Sequence, residues 1–127
     1  AATGKKISLE NLINYMQLLG GVPKIATGSY TGTGTYGADN PCSLTFNFSP
    51  TLVIVSCWRA ASSMTNRSVV GIFVRDDHGM RITQNTNYAS RILYAAWAET
   101  SLSWYSVDGE DDQLNYDGTT YHYIALG

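Results

Sequence analysis

The chain of 127 residues is one domain's worth, long enough for a real core and too short for two. Charged residues are 14% of it, against roughly 25% in an average soluble domain, while Ser, Thr, Asn and Gly together number 45, so the surface is mainly uncharged polar. The net charge is −2 and all three lysines, Lys5, Lys6 and Lys24, fall in the first fifth, which leaves no basic stripe for a phosphate backbone. Nucleic acid is therefore not an expected partner. Membrane insertion is not expected either, because no run approaches the roughly 18 apolar residues of a span.

The chain opens AATGKKISLE, without an initiator Met or a basic-then-apolar leader, and reads as a C-terminal piece of a longer polypeptide. Residues 1–23 form a helix and linker. From Ile7 to Leu19, Leu9, Leu12, Ile13, Met16 and Leu19 recur at three- and four-residue steps and share one stripe. Ser8 is placed to cap the first turn, Ile7 and Leu12 to staple it, and Gly20, Gly21 and Pro23 to end it. A lone helix of this length is marginal in water and needs a partner: the domain's own sheet, or the same helix from neighbouring chains around an axis.

Residues 24–127 change to a period of two, rich in β-branched and aromatic residues, which predicts an all-β body, an antiparallel sandwich. Strands are expected at about 24–31, 43–48, 52–58, 69–75, 80–84, 92–98, 102–107 and 120–126. Asp39-Asn40-Pro41, Ser49-Pro50, Asp77-His78-Gly79, Asp108-Gly109 and Asp117-Gly118 supply turn residues between them. The longest loops, 59–68, 85–91 and 108–119, are where such a scaffold carries recognition residues. Residues 1–91 hold every base, whereas 92–127 hold acids alone, concentrated in Glu110, Asp111, Asp112 and Asp117. That concentration predicts a solvated, negatively charged rim.

Several chemistries fail on spacing. Gly32-Thr33-Gly34-Thr35-Tyr36-Gly37 imitates a dinucleotide fingerprint, but Asn40-Pro41 and a strand follow it where a helix is required, so it reads as a loop. An EF-hand from Asp108 would need glycine where Gln113 stands; a looser calcium site on this loop is a lesser reading than a solvated one, and no metal is expected. His78 and His122 lack ligand-spaced companions, and Cys42 and Cys57 are read as incidental thiols. No Gly-x-Ser-x-Gly elbow is present, and although Glu99, Glu110 and Asp112 are formally available to a glycosidase, no catalytic residue is assigned. The chain is expected to be no enzyme and to use no cofactor.

Binding remains. Nine Tyr and three Trp against three Phe give rings with polar handles, suited to stacking on sugars while amides and charges meet hydroxyls. The candidate ligand-binding residues are Trp58, Arg59, Tyr88, Arg91, Asn115 and Tyr116. Trp97 and Trp104 are the rings first expected in the core or in a subunit interface.

The stretch from Lys24 to Val55 with the terminal YHYIALG, 121–127, resembles the C-terminal domain of tail-fibre proteins from prophages of gut Gram-positive bacteria. Leu44-Thr45-Phe46-Asn47-Phe48, Pro50, Leu52-Val53-Ile54-Val55 and Ile124-Ala125-Leu126-Gly127 are also similar to the H-type lectin pattern, in which two spaced phenylalanines precede a proline and a Val/Ile strand, and the last strand ends in Ile-Ala-Ile/Leu-Gly. The resemblance covers about a third of the chain, at the two ends of the β body. It implies a six-stranded antiparallel sandwich, a homotrimer, and attachment to a bacterial surface glycan or another surface receptor from the fibre tip, on the virion and outside the cell. No lectin sugar-binding residue maps onto the middle region, so none is carried over. The reading from a different class is a trimerisation or assembly module of the fibre that binds no sugar.

Overall fold

Alternation decides where each strand points. Val53, Val55 and Cys57 are buried while Leu52, Ile54, Ser56 and Trp58 between them face outward, and the other long strands follow the same rule. The computed structural model describes residues 8–18, 24–59, 67–83 and 90–127, apart from the side chains of 16–18, 59 and 67. It contains α1 (Leu9–Leu18), β1 (Ile25–Thr31), β2 (Cys42–Thr45), β3 (Leu52–Arg59), β4 (Arg67–Val74), β5 (Gly79–Thr83), β6 (Ser90–Trp97), β7 (Ser101–Tyr105) and β8 (Thr120–Leu126). None of the described helical residues forms a segment long and apolar enough to cross a membrane.

All pairings are antiparallel, in the order β1-β8-β3-β4-β5-β6-β7-β2. The body is thus all-β, a sheet curled into a half-barrel. The bend lies within β6: its first half, up to Leu93, pairs with β5, and its second half, from Tyr94, pairs with β7. The β2–β7 arm is thereby brought across from the β1–β8 arm. Trp104 on β7 meets Tyr30 on β1 edge-on at 6.1 Å and Phe73 on β4 at 4.9 Å, and Phe46 beyond β2 meets Tyr123 on β8 at 6.0 Å. Trp104 is a core residue, as one of its two sequence readings had it, and Trp97 packs on the margin of that core.

Strand β2 ends at Thr45, earlier than expected. Phe46 and Phe48 leave the ladder yet still pack inward, with Phe48 lying where a Cβ on Gly127 would be, so the Phe-x-Phe and Ile-Ala-Leu-Gly segments meet in space. The Ser8 hydroxyl accepts the Asn11 amide at 3.1 Å, which is the expected helix cap. Ile7, Gly20, Gly21 and Pro23 lie outside the described residues. Leu9, Leu12 and Ile13 are exposed rather than laid on the sheet. Cys42 and Cys57 are not joined in a disulfide; burial pushes the Cys42 thiol up to about 11, so it is protonated and unreactive at neutral pH.

One end of the curl is stoppered by two loops. The 106–119 loop turns inward at Gln113, Leu114 and Asn115, all buried. Leu114 adopts a left-handed backbone (φ 62°), accepts the Tyr30 hydroxyl on its carbonyl at 2.8 Å and presses its side chain into the place where a Cβ on Gly71 would stand. Gln113 accepts the amides of Gly37 and Ser106 on Oε1, both at 2.9 Å, and donates Nε2 to the Asn40 carbonyl at 2.7 Å. Asn115 accepts the Thr33 amide at 3.0 Å and donates to the Thr33 hydroxyl and the Thr35 carbonyl, both at 2.8 Å. The Gly/Thr-rich segment is a loop, as expected, and these two amide side chains hold it across the mouth.

Replacing Gln113 by Ala orphans the buried Ser106 amide together with the Gly37 amide and the Asn40 carbonyl. The variant is expected to unfold at lower urea with a loss of about 3 kcal/mol, whereas a loss within about 0.5 kcal/mol would contradict the bracket role.

Candidate functional site

Arg81 on β5 and Arg91 on β6 are direct cross-strand partners on the inward side of the sheet. Two like charges so placed repel, and Arg81 is only 2% exposed, so the pair demands anions. The loop after β7 supplies them. Asp111 and Asp112 approach the Arg81 guanidinium at 3.2 and 3.0 Å, while Arg91 Nε lies 3.6 Å from Asp108 and 4.0 Å from Asp112. The expected solvated acidic rim is corrected at two of its four acids: the carboxylates of Asp111 and Asp112 are only about a fifth exposed and fold back onto the buried Arg81, whereas Asp117 is exposed. Among the described residues, no three His, Cys, Asp or Glu side chains converge as metal ligands.

Burial pushes the Asp112 carboxyl above the usual carboxylate range, and the attraction of Arg81 and Arg91 offsets only part of that cost.

Where β6 bends, Asp108 and Arg91 border an open cleft of about 390 Å³. Met80, Ile92 and Val107 give it apolar surface, Ser90 a hydroxyl, and Tyr94 an aromatic one. Tyr94 is braced by stacking on Tyr105 (5.2 Å, 22° between planes) and by the His78 ring against it at 5.5 Å. His78 is itself positioned by accepting the Ala95 amide on Nδ1 at 3.1 Å, which puts its remaining proton on Nε2. The cleft thus combines a rigid ring, an apolar wall and adjacent donor and acceptor charges. That set suits a polyhydroxylated ligand, with its C–H faces on the wall and its hydroxyls bridging guanidinium and carboxylate. Asp108 is the one acid among the described residues that line it.

Two further depressions flank the sheet. A neutral groove of about 280 Å³ lies between edge strands β1 and β2, lined by Thr31, Thr33, Thr35, Asn40 and Ser43 over Tyr30 and Trp104. Another, of about 370 Å³, is formed by Asp76, Asp77, His78, Ala95 and Trp97.

Among the described candidate residues, Arg91 lines the cleft and Trp58, Asn115 and Tyr116 lie elsewhere. Trp58 stands 65% exposed on the outward face at the end of β3, opposite Ser68, and Arg59 follows it with its side chain outside the description. Tyr88 lies outside the described residues. Asn115 borders the neutral groove, but its amide is occupied by Thr33 and Thr35. Tyr116 is exposed and its amide donates to the Tyr121 hydroxyl at 3.0 Å. Sequence reasoning missed Tyr94, Asp108, Met80, Ile92 and Val107. The available signal was the two-residue spacing of Ser90, Ile92 and Tyr94 on one strand face, and a base-free final third that had to find its counter-charges elsewhere.

The folded chain takes up the Asp112 proton at higher pH than the unfolded chain, whose carboxyl titrates near about 3.9. The group's contribution to stability is therefore highest below that value and falls as pH rises through the raised folded value. In urea unfolding, wild type is expected to lose stability relative to Asp112→Asn as pH rises above the usual carboxylate range; wild type that gains stability relative to the variant over that rise would contradict the assignment.

No protein-family model, curated protein or solved structure matches the chain.

Proposed function

We propose that this chain is the receptor-binding tip domain of a phage tail fibre, a homotrimer that holds a bacterial surface glycan, without catalysis, in the Arg91–Asp108 cleft. The observation that carries the reading is the composition of that cleft: a braced Tyr94, an apolar wall and an ion pair 3.6 Å apart. It offers stacking surface and paired hydrogen-bonding charges. The uncharged polar composition and the strand-end segments that resemble fibre-tip and H-type lectin sequences support the same reading. Two sheet arms facing across one core are compatible with a lectin-like sandwich. Such a domain acts at the distal end of the virion, outside the cell.

A second reading, a trimerisation or assembly module that binds no sugar, is favoured by one observation: Leu9, Leu12 and Ile13 leave the stripe of α1 exposed in the single chain.

Arg91→Gln and Asp108→Asn separate the two. On immobilised surface polysaccharides of Gram-positive gut bacteria, each is expected to weaken binding at least tenfold, about 1.4 kcal/mol, with the thermal midpoint and oligomeric mass kept. Wild type that binds none of these surfaces would favour the assembly module, and variants that bind as well as a binding wild type would overturn the assignment of the glycan to this cleft.

A further inference from the structure

The outer face of the sheet carries an apolar surface that extends well beyond the cleft, which uses only Met80 and Ile92 of it. An antiparallel sheet with one face on the core normally presents polar residues to water on the other. Here the outward register reads Ile25, Leu126, Leu52 and Val74 in one cross-strand row. The next apolar row runs Ile124, Ile54, Ile72, Met80 and Ile92. In the row beyond, Val70 and Ile82 are apolar, flanked by Ser29, His122 and Ser56 on one side and Ser90 on the other. Among the described side chains, no Asp, Glu, Lys or Arg occupies an outward position of β1, β8, β3, β4, β5 or the Ser90–Leu93 half of β6.

Ile25, Val74, Met80 and Ile92 are each more than half exposed, with Trp58, Ile82 and Ile124 adding to them. Scaled by residue size, these seven residues leave on the order of 700 Å² of surface, comparable with the largest apolar patches of typical monomers, roughly 300–600 Å², and near the ~800 Å² each partner buries in a standard interface.

We infer that this outer face is an interface between copies of the chain. The absence of formal charge from the described outward positions argues against a partner recognised by charge complementarity. Six strands at about 4.8 Å spacing make the face about 24 Å wide. The ten-residue α1, ~15 Å long, is too small to cover it, whereas a second β face of Ile and Val matches it in chemistry and size. The inference rests on the proposed homotrimer for stoichiometry alone, and it assigns association to the sheet rather than to α1.

The test is sedimentation equilibrium of the full chain. Because Met80 and Ile92 also line the cleft, the variants come from the opposite end of the face. Wild type is expected to sediment above its 13.9 kDa monomer mass at micromolar concentration. Ile25→Glu combined with Val74→Asp is expected to raise the apparent dissociation constant at least a hundredfold with the β-type circular dichroism kept. Leu9→Glu with Leu12→Glu on α1 is expected to leave the mass unchanged. Should the sheet double variant fail to fold, Ile25→Glu alone, at the first position of an edge strand, replaces it with the same expectation. A monomeric wild type, an associated sheet variant, or dissociation by the helix variant alone overturns the inference. Monomeric wild type that co-sediments with phosphatidylcholine vesicles overturns it in favour of a lipid surface. A monomer that still binds glycan through Arg91 refutes this interface and leaves the recognition site standing, whereas an associated wild type whose binding ignores Arg91 does the reverse.

Discussion

Two arginines placed opposite one another on neighbouring strands are the constraint around which one end of this molecule is organised. Arg81 is buried and Arg91 half-buried beside it, so the pair is tolerable only with carboxylates brought to it. Asp108, Asp111 and Asp112 come from a single loop, and bringing them in determines where the rest of that loop goes. Leu114 enters the core beside Gly71, and Gln113 and Asn115 reach the Gly/Thr-rich loop and hold it over the mouth. Charge neutralisation, core closure and loop anchoring are thus consecutive parts of one segment.

The same arrangement makes the cleft. Asp108 is the first acid of the returning loop, and its position against Arg91 puts a charged edge on the apolar surface of Met80, Ile92 and Val107. Tyr94 contributes because β6 changes partner there, from β5 to β7, and the bend exposes its ring while Tyr105 stacks on it. The site is thus built on strands and an ion-paired loop, which favours a preorganised surface over a mobile one.

Local features were legible in the sequence. Alternation located all eight strands to within about two or three residues, and Ser8 marked the helix start through a contact made three residues away. The uneven distribution of charge was also visible, but its consequence was misread, because pairing Asp111 with Arg81 depends on which strands are neighbours. Asn115 shows the same limit: an amide in a polar loop suggests ligand contact, yet its partners Thr33 and Thr35 are some eighty residues away in the chain. Leu114 gives no local warning of its left-handed backbone, since leucine rarely adopts one. The apolar outer face was present in the period-two pattern as strands hydrophobic on both sides, a feature that acquires meaning only once the register aligns Ile54, Ile72 and Met80 in one row.

Native-state hydrogen exchange in the 108–119 loop, read in wild type and in Arg81→Met, tests the central claim most directly. The amides of Gln113, Leu114 and Asn115 donate within the loop at 3.1, 3.1 and 2.9 Å, so in wild type they are expected to exchange as slowly as the amides of β3 and β4, and to lose that protection when Arg81 is replaced. Fast exchange of these amides in wild type, or protection indifferent to Arg81, would contradict the account of a loop held in place by buried cations.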